Sequence, residues 1–195
     1  MEIERKYLVA QLPTDYTAYP SSHIEQGYLN TSPVVRVRKE DETYYLTYKG
    51  KGLLAREEYN LPLTQEAYAH LIQKADGIVL TKRRYKIPLD SQYPEGTGPW
   101  QTAVQDTAQT DQEKGQPPQS ACPPADPLVI ELDVFEGTYA GLVLAEVEFP
   151  TVEAAEHFTP PAWFGRDVTF SGGYQNSRLS TALQPIPKNG CGDCP

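Results

Sequence analysis

Residues 1–9, Met1-Glu2-Ile3-Glu4-Arg5-Lys6-Tyr7-Leu8-Val9, alternate largely between charged and apolar side chains. On a β-strand, residues two apart point to the same face, so Glu2, Glu4 and Lys6 form one charged row and the opposite face is mostly apolar. Neighbouring carboxylates in that row lie roughly 6 to 7 Å apart, which lets both reach one divalent cation or a pair of cations. Lys6 is placed for an anion. A solvated strand face would show the same alternation, so the rest of the chain must distinguish the two interpretations.

The same alternation recurs in later segments that have the pattern of short strands. We predict strands at 2–9, 23–29, 34–40, 43–50, 55–61, 80–88, 129–136 and 142–149, with a short one near 166–170. The acids on the charged faces are Glu2, Glu4, Glu58, Glu131, Asp133, Glu146 and Glu148. The bases on these faces are Lys6, Arg36, Arg38, Lys49, Arg56, Lys82, Arg84 and Lys86. Because the opposite faces are largely apolar, we infer that the charged faces converge.

Converging faces of this kind predict an α+β protein that is mainly β: an eight-stranded antiparallel closed barrel, or tunnel, with a charged lumen and a few flanking helices. Two helices are predicted to cover its apolar exterior, at 64–76 behind the cap Thr64 and at 152–158 behind the cap Thr151. Enclosed charges are costly unless they pair, stay hydrated or hold a ligand. A chain of phosphates bound by Arg and Lys, and bridged to carboxylates by divalent cations, suits such a lumen.

Composition limits what the chain can be. Its 195 residues fit a single domain, and a net charge of −9 argues against binding nucleic acid through bulk positive charge. We predict one tunnel domain over 1–185, with a flexible insertion at 91–127 and a mobile tail at 186–195. A charged start and the absence of a long apolar run predict a cytoplasmic protein with no membrane partner. Cys191-Gly-Asp-Cys194 lacks a second pair and is more typical of an irregular tail than of a zinc site.

A series of motifs, taken in order, carries a resemblance to a known family. The segments are Glu2-x-Glu4-x-Lys6, Gln26-Gly-Tyr-Leu29, Arg36-x-Arg38, Tyr45-Leu-Thr-x-Lys49, Glu58, Lys82-x-Arg84-Tyr85, Glu131-x-Asp133-x-Phe135, Gly141-Leu-x-x-Ala-Glu146-x-Glu148 and Tyr174-x-Asn176-x-x-Leu179. Together they resemble the CYTH superfamily, the triphosphate tunnel metalloenzymes. The resemblance implies an eight-stranded antiparallel tunnel that binds triphosphate compounds with Mg²⁺ or Mn²⁺.

The resemblance also implies roles for individual residues. It implies metal binding by Glu2, Glu4, Glu146 and Glu148. It implies phosphate binding by Lys6, Arg36, Arg38, Lys49, Arg56, Lys82 and Arg84, and catalytic duty for Glu58, Glu131, Asp133 and Lys82. The chain departs from the pattern at Asn60, where many family members have a second glutamate.

The leading hypothesis is therefore metal-dependent hydrolysis of a triphosphate. Inorganic tripolyphosphate is placed first because the compact start resembles that of the inorganic triphosphatases. A class IV-type adenylate cyclase and a thiamine or nucleoside triphosphatase are alternatives, since they bind the same phosphates. A module that binds polyphosphate or nucleotide without turnover is an alternative of another class. The sequence leaves open whether the chain forms a homodimer.

Overall fold

The computed structural model describes residues 2–92 and 128–182. Almost all of the insertion predicted at 91–127 lies outside the described residues, as does the whole of the tail predicted at 186–195. Ten strands and three α-helices lie within these described ranges. The strands are β1 (Glu2–Val9), β2 (Ser21–Thr31), β3 (Val34–Glu40), β4 (Thr43–Lys49), β5 (Ala55–Arg56), β6 (Glu58–Pro62), β7 (Asp76–Pro88), β8 (Val129–Phe135), β9 (Val143–Glu148) and β10 (Phe164–Asp167). The helices are α1 (Gln65–Ile72), α2 (Val152–Glu156) and α3 (Asn176–Thr181).

The strands form one antiparallel sheet that curls into a barrel. Along the sheet the order is β10-β1-β9-β8-β7-β2-β3-β4-β6, and β5 pairs with β1. The barrel closes through segment 55–62, because its first part pairs with β1 and its second part pairs with β4. Counted as one broken strand, β5 and β6 complete the eight strands that the sequence predicts. The fold class is confirmed, and the count differs only because this strand is broken at Glu57 and β10 adds a further strand beside β1.

The outer face of the barrel carries the larger apolar core. Ile3, Tyr7 and Val9 of β1 pack there against the odd-numbered residues of β9, and Ala155 of α2 and Phe158 cover them. Thr151 caps α2 by accepting a hydrogen bond from the backbone N–H of Ala154 at 3.1 Å. The predicted helix over the barrel exterior is thus present, although it ends at Glu156.

A second apolar cluster lies on inward-facing positions at one end of the barrel. Leu8 and Leu144 face each other there, with Leu80 and Phe135 of the neighbouring strands. Leu179 of α3 packs into this cluster, and the Tyr139 hydroxyl donates to its carbonyl oxygen at 2.6 Å. The charged part of the lumen therefore ends at this cluster, because α3 and these residues fill one end of the barrel with apolar side chains.

Helix α1 begins where the sequence predicts and ends earlier. The Thr64 hydroxyl accepts a hydrogen bond from the Ala67 N–H at 3.2 Å, but the helix stops at Ile72 rather than at 76. Ile72 and Ala75 pack over Gly27, where a side chain would collide with both. The chain then turns at once into β7, which starts at Asp76 opposite Tyr28.

Gly77 lies within β7 at a φ of +70°. A Cβ at this position would collide with the backbone oxygen of Ser180 in α3. Glycine therefore allows α3 to lie close against the start of β7. Within the described residues, the helices are too short or too polar to cross a membrane.

We predict that Leu144→Ala lowers the free energy of unfolding by about 2 to 5 kcal/mol, because Leu144 is fully buried in the inner cluster. Leu61→Ala is the matched control, since the Leu61 side chain is 58% exposed on the barrel exterior and its truncation should change the unfolding free energy by less than about 0.5 kcal/mol. Urea unfolding followed by circular dichroism measures both. Equal losses for the two variants would contradict the inner cluster.

Candidate active site

The lumen of the barrel contains a cavity of about 340 Å³. Twelve of the predicted site residues line it, because strand alternation turns them inward: Glu2, Glu4, Lys6, Arg36, Arg38, Lys49, Arg56, Glu58, Arg84, Glu131, Glu146 and Glu148. The remaining two, Lys82 and Asp133, are fully buried and do not line it. Lys86 belongs to the same predicted charged face, but the end of β7 leaves it exposed and outside the cavity.

Strand register places opposite charges side by side around the wall. Glu2 is opposite Arg56, Lys6 is opposite Glu146, and Lys49 is opposite Glu58. Directly opposed positions on neighbouring strands bring side chains within contact distance. The pairing of these charges is thus a consequence of register.

Glu2 is the centre of the first ion-pair network. Its two carboxylate oxygens accept hydrogen bonds from the Lys49 Nζ, at 2.6 and 2.9 Å, and one also accepts from the Arg56 Nε at 2.8 Å. Arg56 also donates to Glu4 at 3.2 Å, and Lys49 lies 2.6 Å from Glu58. Burial alone would raise the pKa of Glu58, but Lys49 outweighs it and lowers the pKa to about 2.

Asn60 holds Glu58 in place. Its amide nitrogen donates to the Glu58 carboxylate at 2.9 Å, and its amide oxygen accepts from the Thr47 hydroxyl at 2.7 Å. A glutamate at this position could accept from Thr47 but could not donate to Glu58 when ionised. The departure from the family pattern therefore replaces an acid with a donor that orients the neighbouring acid.

Arg84 is the centre of the second network. Its guanidinium binds both oxygens of Asp133, at 2.6 and 2.7 Å, and also donates to Glu131 and to Glu146, the latter at 2.7 Å. Burial alone would lower the pKa of Arg84, but Asp133 and Glu131 outweigh it and raise the pKa.

Asp133 also pairs with Lys82 behind Arg84. Burial and the nearby Arg84 lower the pKa of Lys82 to about 8, despite this partner. Lys82 and Asp133 therefore lie where they orient Arg84 from behind, rather than facing the cavity.

Lys6 links the two networks. Its Nζ lies 2.7 Å from Glu146, which also binds Arg84, and 3.5 Å from Glu4, which also binds Arg56. Burial alone would lower the pKa of Lys6, but Glu146 and Glu4 outweigh it and raise the pKa above its usual value. Burial likewise acts to raise the pKa of Glu146, yet Lys6, Lys82 and Arg84 hold it well below its usual range. Both groups are thus charged at neutral pH.

Two arginines of β3 are only weakly compensated. The Arg36 Nε is buried without a hydrogen-bond partner among the described residues, and the nearest carboxylate, Glu58, is 3.9 Å from its Nη2. Arg38 has Glu40 at 3.8 Å and donates to the Gln26 amide oxygen at 3.3 Å. Burial, Arg36 and Arg84 lower the pKa of Arg38 to about 10. This part of the wall is short of negative charge and suits an anion.

Glu148 shows the opposite imbalance. It makes no salt bridge with any residue in 2–92 or 128–182. Although the residue is partly exposed to solvent, the burial that it has, together with Glu2, Glu131, Glu58 and Glu4, raises its pKa. Glu4 is directly opposite it on the neighbouring strand. This part of the wall is short of positive charge and suits a cation.

The donor chemistry here fits a hard divalent metal ion. Carboxylate oxygens are the ligands that Mg²⁺ and similar ions take in proteins, and Glu148 offers one that no cation of the described residues occupies. Even so, no group of three or more acids, histidines or cysteines in the described part of the chain is assembled to hold a metal. The other acids predicted to bind metal, Glu2, Glu4 and Glu146, are engaged with lysine and arginine.

Several cavity residues were given no role by the sequence. They are Tyr28, Val34, Asn60 and the Gln175, Asn176 and Ser177 segment at the start of α3. Tyr28 lies two residues after Gln26 on β2 and points into the lumen like Gln26, whose amide donates to the Tyr28 hydroxyl at 3.1 Å. Strand alternation could therefore have indicated Tyr28 as a cavity residue. Helix α3 is short and polar, and no periodic pattern predicts that it lies over the lumen.

The structure is an antiparallel barrel that encloses a charged cavity, and one part of the cavity wall is short of negative charge while another is short of positive charge. These features define a tunnel protein. A family model described as "CYTH domain" matches residues 1–157, and the chain belongs to this family. An inorganic triphosphatase of Nitrosomonas europaea is 32% identical over 186 residues, covering 93% of this chain and 98% of that protein. An inorganic triphosphatase of Acetivibrio thermocellus is 30% identical over 189 residues, covering 91% and 92%.

The solved structures agree with the sequence relatives. A crystal structure of an inorganic triphosphatase matches with a TM-score of 0.57 at 29% identity, covering 94% of this chain and 97% of that chain. The two chains therefore share their fold.

We predict opposite effects of two carboxylate-to-amide substitutions in the lumen. Asp133→Asn should lower the free energy of unfolding by about 3 kcal/mol, because it leaves the buried Lys82 without a salt bridge among the described residues and removes the carboxylate that binds Arg84 through two hydrogen bonds. Glu148→Gln should raise it at pH 7, because it removes a charge whose pKa is raised in the folded state.

The stabilisation expected from Glu148→Gln depends on pH. The pKa of Glu148 is higher in the folded protein than in the unfolded chain. The protonated side chain therefore favours folding at low pH, and this contribution to stability is lost as the pH rises through the folded-state pKa. The advantage of Glu148→Gln over the wild type should thus be present at pH 7 and vanish near pH 4. Urea unfolding at both pH values measures it, and a destabilised Glu148→Gln at pH 7 would contradict the electrostatic assignment.

Proposed function

We propose that this protein is a divalent-metal-dependent triphosphatase that hydrolyses inorganic triphosphate to pyrophosphate and phosphate. The observation that carries the proposal is one cavity with two uncompensated parts: the arginines of β3, short of negative charge, and Glu148, short of positive charge. A triphosphate with its metal supplies both missing charges at once. The relatives named inorganic triphosphatases support the same activity.

The basic side chains would hold the phosphate oxygens. Arg36 and Arg38 would make the first contacts with the triphosphate. The buried Arg36 Nε–H has no acceptor among the described residues, and the cations near Arg38 leave an excess of positive charge there. Four further bases would bind phosphate once they leave their present carboxylate partners: Lys6, Lys49, Arg56 and Arg84. Arginine binds phosphate in a bidentate fork, and lysine binds as a point charge.

The carboxylates would hold the metal and orient the attacking water. Glu148 and Glu4 are adjacent ligands, with Glu2 and Glu146 within the same cavity. The metal, Mg²⁺ or Mn²⁺, supplies Lewis-acid activation of the phosphoryl oxygens when bound. Glu58, which Asn60 orients and whose pKa of about 2 keeps it ionised, is suited to accept a hydrogen bond from water. Water attacks the terminal phosphorus directly, as in other in-line phosphoryl transfers, so no covalent nucleophile of the protein is needed.

The lining of the cavity favours an inorganic substrate. Among the described residues, Tyr28 and Val34 are the only apolar or aromatic side chains in its wall, and the Tyr28 hydroxyl is engaged with Gln26. Nucleobases are bound by stacking on aromatic faces and by hydrogen bonds to their edges, and this wall consists mainly of charged groups.

The division of the chain into one tunnel domain with an insertion and a tail stays a prediction, as does a homodimer.

Product analysis tests the function directly. With Mg²⁺ or Mn²⁺, we expect phosphate and pyrophosphate from tripolyphosphate, and a kcat/KM for ATP and thiamine triphosphate that is at least about 100-fold lower, because they offer a nucleoside or thiazole to a charged wall. Chromatography of the products and a phosphate-release assay measure this. The hydrolase assignment would be wrong if cyclic AMP were the main product from ATP, or if the substrates were bound without any turnover.

A pair of neighbouring substitutions tests the anion-binding wall. Arg38→Ala should lower kcat/KM for tripolyphosphate by about 10- to 100-fold, because hydrogen bonds to charged groups contribute about 1.5 to 3 kcal/mol. Lys39→Ala is the matched control, since Lys39 is next in the chain and lies over the ring of Tyr44, away from the cavity lining. Both variants lose one positive charge, so equal losses would show that bulk charge, and not contact with Arg38, matters.

A further inference from the structure

Glu2 is fully occupied by the bases that would otherwise hold phosphate. Lys49 donates to both of its carboxylate oxygens, and the Arg56 Nε donates to one of them. The Lys49 side chain is buried and those of Glu2 and Arg56 are largely buried, with exposed fractions of 8% for Lys49, 13% for Glu2 and 12% for Arg56. Weak solvation makes each of these contacts stronger than the same contact at a surface.

Glu148 lies in the same cavity and provides an internal contrast. It carries the same charge as Glu2 but makes no salt bridge with the described residues. Removing Glu148 would therefore reduce the negative charge of the cavity without releasing any base. Removing Glu2 would do both.

We propose that Glu2 is an internal counter-ion that keeps Lys49 and Arg56 from phosphate until a divalent cation takes its carboxylate. The inference rests on the proposed function and adds a rule to it: the metal and the triphosphate bind with positive coupling, because the metal frees the bases that the triphosphate needs. It also explains why no three acids of the described residues are assembled around a metal position, since lysine and arginine hold Glu2 and Glu4. Coupling is reciprocal, so the triphosphate frees Glu2 for the metal to the same extent.

The sharp test is binding of tripolyphosphate without metal. In EDTA at pH 7.5, where no metal can withdraw Glu2, isothermal titration calorimetry compares the wild type with Glu2→Gln and Glu148→Gln. We expect Glu2→Gln to bind roughly tenfold more tightly than the wild type, within the usual range for coupled sites. Glu148→Gln, which changes the charge equally but releases no base, should gain less than about threefold.

A double-mutant cycle assigns the gain to released bases. Lys49→Met is combined with Glu2→Gln, and the effect of Glu2→Gln is measured in both backgrounds. With Lys49 absent only Arg56 is released, so the gain should shrink to roughly threefold. Thermal unfolding of each variant confirms that the compared proteins are folded.

The outcomes separate this inference from the proposed function. Equal gains for Glu2→Gln and Glu148→Gln, no gain for Glu2→Gln, or the same gain with and without Lys49 would overturn the counter-ion role. Phosphate release by the wild type with Mg²⁺ is measured separately. Its absence would overturn the proposed function, whereas turnover together with an unchanged metal-free affinity in Glu2→Gln would overturn only the coupling.

Discussion

Charge compensation inside a closed barrel is the interaction on which the rest of the structure depends. Alternation along each strand sends every second side chain into the lumen, and through the middle of this barrel those side chains are acids and bases. An isolated charge in such a space costs several kcal/mol. The chain meets this constraint through register, because Lys6 is opposite Glu146 and Lys49 is opposite Glu58. Strand pairing and charge pairing therefore select the same alignment of the sheet.

Function arises where that compensation is incomplete. Arg36 and Arg38 keep donors and charge that the nearby carboxylates do not balance. Glu148 makes no salt bridge with the described residues, and nearby acids raise its pKa. A ligand that carries both signs, as a metal-bound phosphate chain does, lowers the electrostatic energy of both regions together. The same imbalance disfavours a simple anion or a simple cation, since either one leaves the other region uncompensated.

Strand alternation made much of the fold predictable from the sequence. The first strand has the predicted bounds, and twelve of the predicted site residues line the cavity, because parity alone determines which way a strand residue points. Parity does not give depth along the barrel axis. Lys82 and Asp133 have the correct parity but lie behind Arg84, and Lys86 is at an exposed strand end. Helix α3 was missed because its six residues show no helical apolar period, and its position depends on Gly77 in a distant strand.

Closure of the barrel and the chemistry of its lumen involve the same carboxylate. Strand β5 has two residues, so backbone pairing along its seam with β1 is brief and ends at Glu2. The Glu2 side chain bonds to Arg56 across that seam and to Lys49 on β4, so it links three strands. The backbone N–H of Glu4 donates to Leu54 at 2.9 Å and keeps the seam joined independently of any side chain. Main-chain bonds therefore keep the barrel closed at this seam, so the exchange of partners that we propose for Glu2 would leave the wall intact.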